Sequence, residues 1–207
     1  MNWPTALPLV AILRGITPDD AQAHGQALFD AGFDCIEVPL NSPDWPRSVA
    51  GLVQRFGGQA LIGGGTVLSP DDVDRLADLG AKLVVTPNTR PALIRHAVGR
   101  GLMVAAGFAT ASEAFDALDA GALALKLFPA TTYGPGHVKA LRAVLPAVTL
   151  LAVGGITPAN LGDYLRAGCD GAGLGGDLYR PGQGADRTRE AALAFKAAYT
   201  AHGAAAG

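Results

Sequence analysis

The feature that most constrains this chain is a repeat, in which a short apolar run is followed by a segment that begins and ends like a helix. We count eight apolar runs. They are spaced about 20 to 26 residues apart, which suits a strand, a loop and a helix in each unit. The runs are Pro8–Leu13, Asp34–Val38, Ala60–Ile62, Lys82–Thr86, Leu102–Ala106, Leu123–Phe128, Thr149–Val153 and Gly171–Leu174. Because most of them are continuously apolar, they are typical of parallel strands that are covered on both faces.

The segments between these runs carry the start and stop signals of helices. Thr17, Ser69 and Thr157 each precede a proline that would take the first helical position. Thr110 and Glu113 have the spacing of a capping box. Several of the segments then end at a glycine, the residue that best closes a helix. Eight such units predict a (β/α)8 barrel; an open doubly wound sheet is the alternative, because strand count alone does not prove closure.

The length of 207 residues fits a single domain over residues 1–207. Because a barrel of this class typically has about 250 residues, this shorter chain must have short loops. Asn2–Leu7 precede the first apolar run and are expected to cover the floor of the barrel. The last helix is expected over 186–201, followed by a frayed tail over 202–207.

Composition excludes several classes of function. The formal charge of −2 gives no basis for binding nucleic acid or an acidic membrane surface. The chain has no apolar run long enough to span a membrane, and its start lacks the pattern of a signal peptide. Cys35 and Cys169 are far apart and the histidines have no ligand spacing. We therefore expect reduced thiols, a cytoplasmic protein and no metal.

A lysine stands inside the sixth apolar run, in the string ALALKLFPA. With the strand period of two, Leu125 and Leu127 face the helices and Lys126 faces the interior of the barrel. Burial disfavours the ammonium form and lowers the pKa of a lysine, which frees the amine as a nucleophile near neutral pH. The alternative is a structural lysine that is paired with a carboxylate.

An acid and a guanidinium lie at the ends of two other runs. By the same alternation Glu37 faces the barrel interior, as a general acid/base or simply as an ion-pair partner. Arg14 ends the first run, where it suits a carboxylate or phosphate group of a ligand, or a structural pair with Glu37. Because active sites of barrels lie at the carboxyl ends of the strands, both side chains should meet Lys126 at one mouth.

Glycines follow three of the runs. The string IGGGTVLSP, which contains Thr66, is interpreted as a loop in which a ligand can approach the backbone. Gly154–Gly155 follow the seventh run and Gly175–Gly176 follow the eighth. Barrels commonly hold a phosphate at that position, on backbone amides. Asp177 is expected to point away from this phosphate.

Five strings together resemble the class I aldolases of 2-keto-3-deoxy-6-phosphosugar acids, over essentially the whole chain. They are IEVPLNSP, IGGGTVLSP, VVTPN, ALKLFPA and AVGGITPANL. Within that family, IEVPLNSP and Val153 resemble the branch that acts on 2-dehydro-3-deoxy-6-phosphogalactonate. The gluconate enzymes have an arginine-threonine pair where this chain has Asn41–Ser42, and a threonine at the position that matches Val153.

The resemblance implies a role for each candidate residue in the cleavage step. Lys126 would form a Schiff base with the ketone at carbon 2 of the substrate, and Glu37 would act as acid/base. Arg14 and Thr66 would hold the carboxylate end. Val153 would face the carbon-4 hydroxyl, and the products would be pyruvate and glyceraldehyde 3-phosphate.

The resemblance also implies the remaining properties of the site. The phosphate would lie near Gly154–Gly155 and Gly175–Gly176. Gly176 departs from the serine that is usual in the family, which removes one hydroxyl donor to the phosphate. The iminium serves as the electron sink, so no cofactor is expected, and the family implies a homotrimer.

Three alternatives stay open from the sequence. The gluconate epimer could be the main substrate. A different phosphate-binding barrel enzyme, such as an isomerase or epimerase, would use Lys126 only for electrostatics. A non-catalytic sensor of sugar phosphates would bind its ligand without turnover.

Overall fold

Eight parallel strands close into a barrel in the computed structural model, which describes residues 3–205. Each strand pairs with the next along the chain, and the eighth returns to the first, with Leu174 opposite Ala11. The strands are β1 (Leu9–Ile12), β2 (Cys35–Pro39), β3 (Leu61–Gly65), β4 (Leu83–Val85), β5 (Met103–Phe108), β6 (Ala124–Leu127), β7 (Thr149–Val153) and β8 (Gly171–Leu174). The predicted (β/α)8 barrel is confirmed, and the open sheet is not what the chain forms.

A helix follows each strand and covers the outside of the barrel. The helices are α1 (Pro18–Asp30), α2 (Trp45–Phe56), α3 (Pro70–Asp78), α4 (Pro91–Gly99), α5 (Ala111–Asp119), α6 (Ala130–Arg142), α7 (Leu161–Ala167) and α8 (Ala185–Ala205). Ser69 caps α3 by accepting a hydrogen bond from the Asp72 N–H at 3.2 Å. Thr110 and Glu113 form both bonds of the predicted capping box at the start of α5. Local chemistry therefore sets where these helices begin.

Two predicted boundaries are wrong. The prediction placed a helix start directly after Thr157, but α7 begins at Leu161, after a turn in which the Thr157 N–H donates to Asn160 Oδ1 at 2.8 Å. The predicted frayed tail is helical through Ala205, because alanine-rich sequence favours helix. Ala206 and Gly207, like Asn2 at the start of the predicted floor cover, lie outside the described residues.

The side chains of the strands divide into two apolar clusters, one inside the barrel and one between the sheet and the helices. Cys35 and Ala124 belong to the inner cluster, while Ile36 and Leu125 belong to the outer one. Glu37 and Lys126 therefore point into the barrel, as the alternation predicted. Trp3 packs into the inner cluster, with Leu61 and Leu83 at the starts of their strands, so the described part of the leading segment does cover the barrel floor.

The interpretation of IGGGTVLSP as a loop is wrong for its glycines, which form most of β3. A Cβ on Gly63 would strike the backbone carbonyl of Leu83 on β4. A Cβ on Gly64 would come within 2.8 Å of the side chains of Leu76 and Leu40. Close packing on both faces of the strand, rather than access for a ligand, accounts for these two glycines.

Candidate active site

A cleft of about 340 Å³ opens at the carboxyl ends of the strands. Of the nine site residues predicted from the sequence, eight line this cleft, namely Arg14, Thr66, Lys126, Val153, Gly154, Gly155, Gly175 and Gly176. The ninth, Glu37, lies deeper and lines a small apolar cavity together with Lys126 and Val153. The structure thus brings all nine residues to the end of the barrel at which (β/α)8-barrel enzymes have their active sites.

Lys126 is buried in the middle of β6, with 6% of its surface exposed. Its Nζ lies 5.1 Å from the ring centroid of Phe128, which also lines the cleft. Burial lowers the pKa of the Lys126 amine; the Glu37 carboxylate opposes this shift and Arg14 adds to it. A lowered pKa increases the fraction of neutral amine, which is the nucleophilic form.

Glu37 is 2% exposed, and its Oε2 has no hydrogen-bond partner within residues 3–205. Burial raises the pKa of this carboxyl to about 7, while Lys126 and Arg14 act in the opposite direction. A carboxyl with that pKa exchanges protons readily near neutral pH. A buried carboxylate whose purpose is structural normally has its hydrogen bonds satisfied, so the unpartnered oxygen favours a chemical role for Glu37.

Arg14 is held at the mouth by two side chains. It donates to Asn41 Oδ1 at 2.7 Å and to Thr66 Oγ1 at 3.4 Å. The neighbouring Gly15 N–H donates to Ser42 Oγ at 2.8 Å, which ties the loop after β1 to the loop after β2. The structural pairing of Arg14 with Glu37 that the sequence left open is therefore not formed; Arg14 is instead oriented toward the cleft that it lines.

The wall formed after β7 and β8 is mostly backbone. Gly154 and Gly155 have φ values of 99° and 74°, a region that favours glycine. The Gly155 carbonyl accepts a hydrogen bond from Asn160 Nδ2 at 2.9 Å, which fixes this turn. Side chains added at Gly175 or Gly176 would meet nothing within 4 Å, so that part of the cleft is open.

Two charged residues belong to this wall. Asp177, which is expected to point away from a bound phosphate, is one of the residues that line the cleft. Arg180, which sequence reasoning missed, lines it too and lies 3.9 Å from the Asp177 carboxylate. The signal that could have found Arg180 was its place in the chain, a few residues after the glycine pair that follows β8. Asn41 was also missed as the partner of Arg14, although its position after β2 put it at the same mouth.

A second cleft, of about 740 Å³, lies at the opposite end of the barrel. It is lined by residues near the starts of β1, β7 and β8, including Pro8, Thr149 and Asp170, and contains none of the predicted site residues. Across residues 3–205, no group of three or more metal-ligating side chains is present. In the same part of the chain, no helix is both long and apolar enough to cross a membrane.

The fold and the site define a class of protein, the parallel-barrel enzymes whose ionisable side chains meet at the carboxyl ends of the strands. A family model described as KDPG and KHG aldolase matches residues 2–184. The chain therefore belongs to the KDPG and KHG aldolase family, and the predicted class of carbon–carbon lyase is confirmed.

Three known proteins illustrate this relationship. The 2-dehydro-3-deoxy-6-phosphogalactonate aldolase of Escherichia coli is 58% identical over 200 residues, which cover 96% of this chain and 98% of that protein. A solved structure described as native KDPGal has a TM-score of 0.97 at 56% identity, covering 99% of this chain and 100% of the other. A KDPG aldolase of Legionella pneumophila, solved with pyruvate captured as a covalent carbinolamine, has a TM-score of 0.81 at 25% identity, covering 95% and 94% of the two chains.

Proposed function

We propose that this protein is a class I aldolase that cleaves 2-dehydro-3-deoxy-6-phosphogalactonate to pyruvate and D-glyceraldehyde 3-phosphate. The observation that carries the proposal is the placement of the Lys126 amine and the Glu37 carboxyl in one cavity beneath the cleft. Burial shifts both pKa values toward neutrality, downward for the amine and upward for the carboxyl. Groups of this kind can exchange protons between them at neutral pH.

In the first step, the neutral amine of Lys126 adds to the ketone carbon 2 and water is lost, which leaves an iminium. The bond between carbons 3 and 4 then breaks, and its electron pair moves into the iminium to give an enamine. Glu37 accepts the proton of the carbon-4 hydroxyl as that carbon becomes the aldehyde. Protonation of the enamine at carbon 3 and hydrolysis of the imine release pyruvate and restore the amine.

The two ends of the substrate would be held by different parts of the cleft. Arg14 and Thr66 suit the carboxylate next to the ketone, because the guanidinium is already oriented by Asn41. The turns at Gly154–Gly155 and Gly175–Gly176 suit the phosphate, because backbone can approach it closely there.

Val153 is the residue that we assign to discrimination at carbon 4. It ends β7, belongs to the inner apolar cluster and lines the cleft. A valine offers no hydrogen-bond partner to a hydroxyl that is pressed against it. The galactonate-type substrate should therefore be preferred, with slower cleavage of the gluconate epimer.

The decisive experiment is reduction with borohydride in the presence of pyruvate. An imine on Lys126 is reduced to a stable bond, so the peptide that contains Lys126 should gain the mass of the reduced pyruvate adduct. Lys126→Met should remain folded and gain no adduct, because methionine has a similar volume and no charge to bury. A wild-type protein that gains no adduct, while it turns over a sugar phosphate, would favour the isomerase or epimerase alternative.

A homotrimer and a cytoplasmic location are further parts of the proposal. Leu68, Phe115 and Tyr133 are large apolar side chains that stay exposed in the single chain, and a contact between subunits would remove such surface from water. Light scattering should give three times the mass of one chain, and Phe115→Asp should yield a lighter species if this surface is the interface. The location is supported by Cys35 and Cys169, which are both free thiols, the state that a reducing compartment maintains.

A further inference from the structure

Arg180 is the one cation in the described lining of the cleft to which the proposed reaction gives no role. The other two cations are Arg14, bonded to Asn41 and Thr66, and Lys126, buried in β6. The wall formed after β7 and β8 offers the backbone amides of glycines, which carry no formal charge, and the carboxylate of Asp177, which repels an anion. The strongest attraction available to a phosphate on that wall is therefore the guanidinium of Arg180.

The backbone of Arg180 is held by a chain of hydrogen bonds that ends in the protein interior. Its N–H donates to Gln183 Oε1 at 3.1 Å, and Gln183 Nε2 donates to Thr188 Oγ1 at 2.6 Å. Thr188 is fully buried, and its hydroxyl lies 2.8 Å from His24 Nδ1. The turn that presents Arg180 is consequently anchored to α1 and α8.

The guanidinium of Arg180 is held at Nε, while its two terminal nitrogens make no hydrogen bond to the described residues. Its Nε donates to the Gly176 carbonyl at 2.7 Å. Its Nη2 lies 3.9 Å from Asp177 Oδ1, and the two side chains are 72% and 46% exposed, so this pair is weak. Within residues 3–205 the terminal nitrogens of Arg180 make no hydrogen bond, which leaves a planar set of donors available beside Gly176.

We propose that Arg180 is a phosphate-binding residue of the cleft. A phosphate monoester carries roughly −1.5 to −2 charges at pH 7 and accepts two parallel hydrogen bonds from one guanidinium. Anchored through Nε, Arg180 turns its terminal nitrogens from Asp177 to the phosphate oxygens and offsets the repulsion from that carboxylate. The inference rests on the proposed function for the presence of a phosphate at this wall.

The test compares Arg180→Gln with wild type and with the control Arg187→Gln. Arg187 is also an exposed arginine with a carboxylate three residues away, but it lies on α8 and does not line the cleft. Calorimetric titration with glycerol 3-phosphate, with glycerol as the blank, measures phosphate binding without catalysis. We expect Arg180→Gln to weaken binding about ten- to a hundredfold and the control to bind as wild type does. The kcat/KM for the phosphorylated substrate should fall by a similar factor, mainly through KM.

Trapping of pyruvate by borohydride separates this inference from the proposed function. Pyruvate has no phosphate, so Arg180→Gln should form as much adduct as wild type. If wild type forms no adduct, the aldolase proposal fails, and the titration still decides the role of Arg180. Equal binding of glycerol 3-phosphate by Arg180→Gln and wild type, or binding by neither, would overturn the inference.

Discussion

The Glu37 carboxylate occupies the space that a side chain at position 65 would fill. A Cβ built on Gly65 would overlap the carboxylate, although Gly65 lies on β3 and Glu37 on β2. The last glycine of the triplet in β3 therefore has a function that the other two lack. It leaves room for an ionisable group in the barrel interior, beside Thr66 at the mouth.

Gly65→Ala should therefore inactivate the enzyme without unfolding it. The added methyl group displaces the Glu37 carboxylate, and displacing the proposed acid/base should lower the rate by about a hundredfold or more. The measurement is kcat/KM together with the thermal midpoint of unfolding. Gly58→Ala is the matched control, because a Cβ there meets nothing within 4 Å. Activity of Gly65→Ala equal to that of the control would show that the position of Glu37 does not matter.

The raised pKa of Glu37 predicts a dependence of stability on pH. Because burial raises this pKa from 4.5 to about 7, the folded state binds a proton more tightly than the unfolded state. The resulting stabilisation is complete below about pH 4.5 and is lost as the pH rises through about 7. Glu37→Gln cannot ionise and does not lose this stabilisation. As the pH rises from 5 to 8, its free energy of unfolding relative to that of wild type should therefore increase by on the order of 1–3 kcal/mol.

Chemical unfolding at both pH values measures this difference. Glu190→Gln is the control, because Glu190 lies on the exposed face of α8. The change in the free energy of unfolding from pH 5 to pH 8 should be the same for this variant as for wild type. A free-energy difference between Glu37→Gln and wild type that is the same at pH 5 and pH 8 would contradict the raised pKa. The same variant should lose most turnover, by roughly a hundredfold or more, if Glu37 is the acid/base.

The strand alternation was sufficient to predict that Glu37 and Lys126 face the barrel interior, since the period of two holds in every strand. It could not predict that Gly63 and Gly64 belong to a strand, because glycine has a low strand propensity. Glycine is required at these two positions because Leu83 and Leu76 pack too closely to leave room for a side chain. Nor could the alternation predict the partner of Arg14. The bond from Arg14 to Asn41 joins residues that lie 27 positions apart, and it depends on how two loops meet.

Val153→Thr should shift the preference between the two carbon-4 epimers. Threonine has the shape of valine and adds a hydroxyl that can pair with the substrate. A paired hydroxyl is worth roughly 1–3 kcal/mol relative to an unpaired one, or about ten- to a hundredfold in the ratio of kcat/KM values. The measurement is kcat/KM for both epimers with both proteins.

Val153→Ala is the control for that comparison, because it removes methyl groups without adding a donor. It should lower kcat/KM for both epimers and leave their ratio near that of wild type. The assignment of Val153 to specificity would be wrong if wild type preferred the gluconate epimer, or if threonine left the ratio unchanged.

Gly176→Ser should strengthen the binding of the phosphate. A side chain at this position meets nothing within 4 Å, and Gly176 is not among the glycines with positive φ, so serine fits without strain. Its hydroxyl adds one donor beside the terminal nitrogens of Arg180, and a hydrogen bond of this kind is worth about 0.5–1.5 kcal/mol. KM for the phosphorylated substrate should therefore fall by about two- to tenfold, and kcat should change little. Gly176→Ala supplies the Cβ without the hydroxyl and should leave KM at the wild-type value. If serine and alanine have the same effect on KM, the phosphate does not lie beside Gly176.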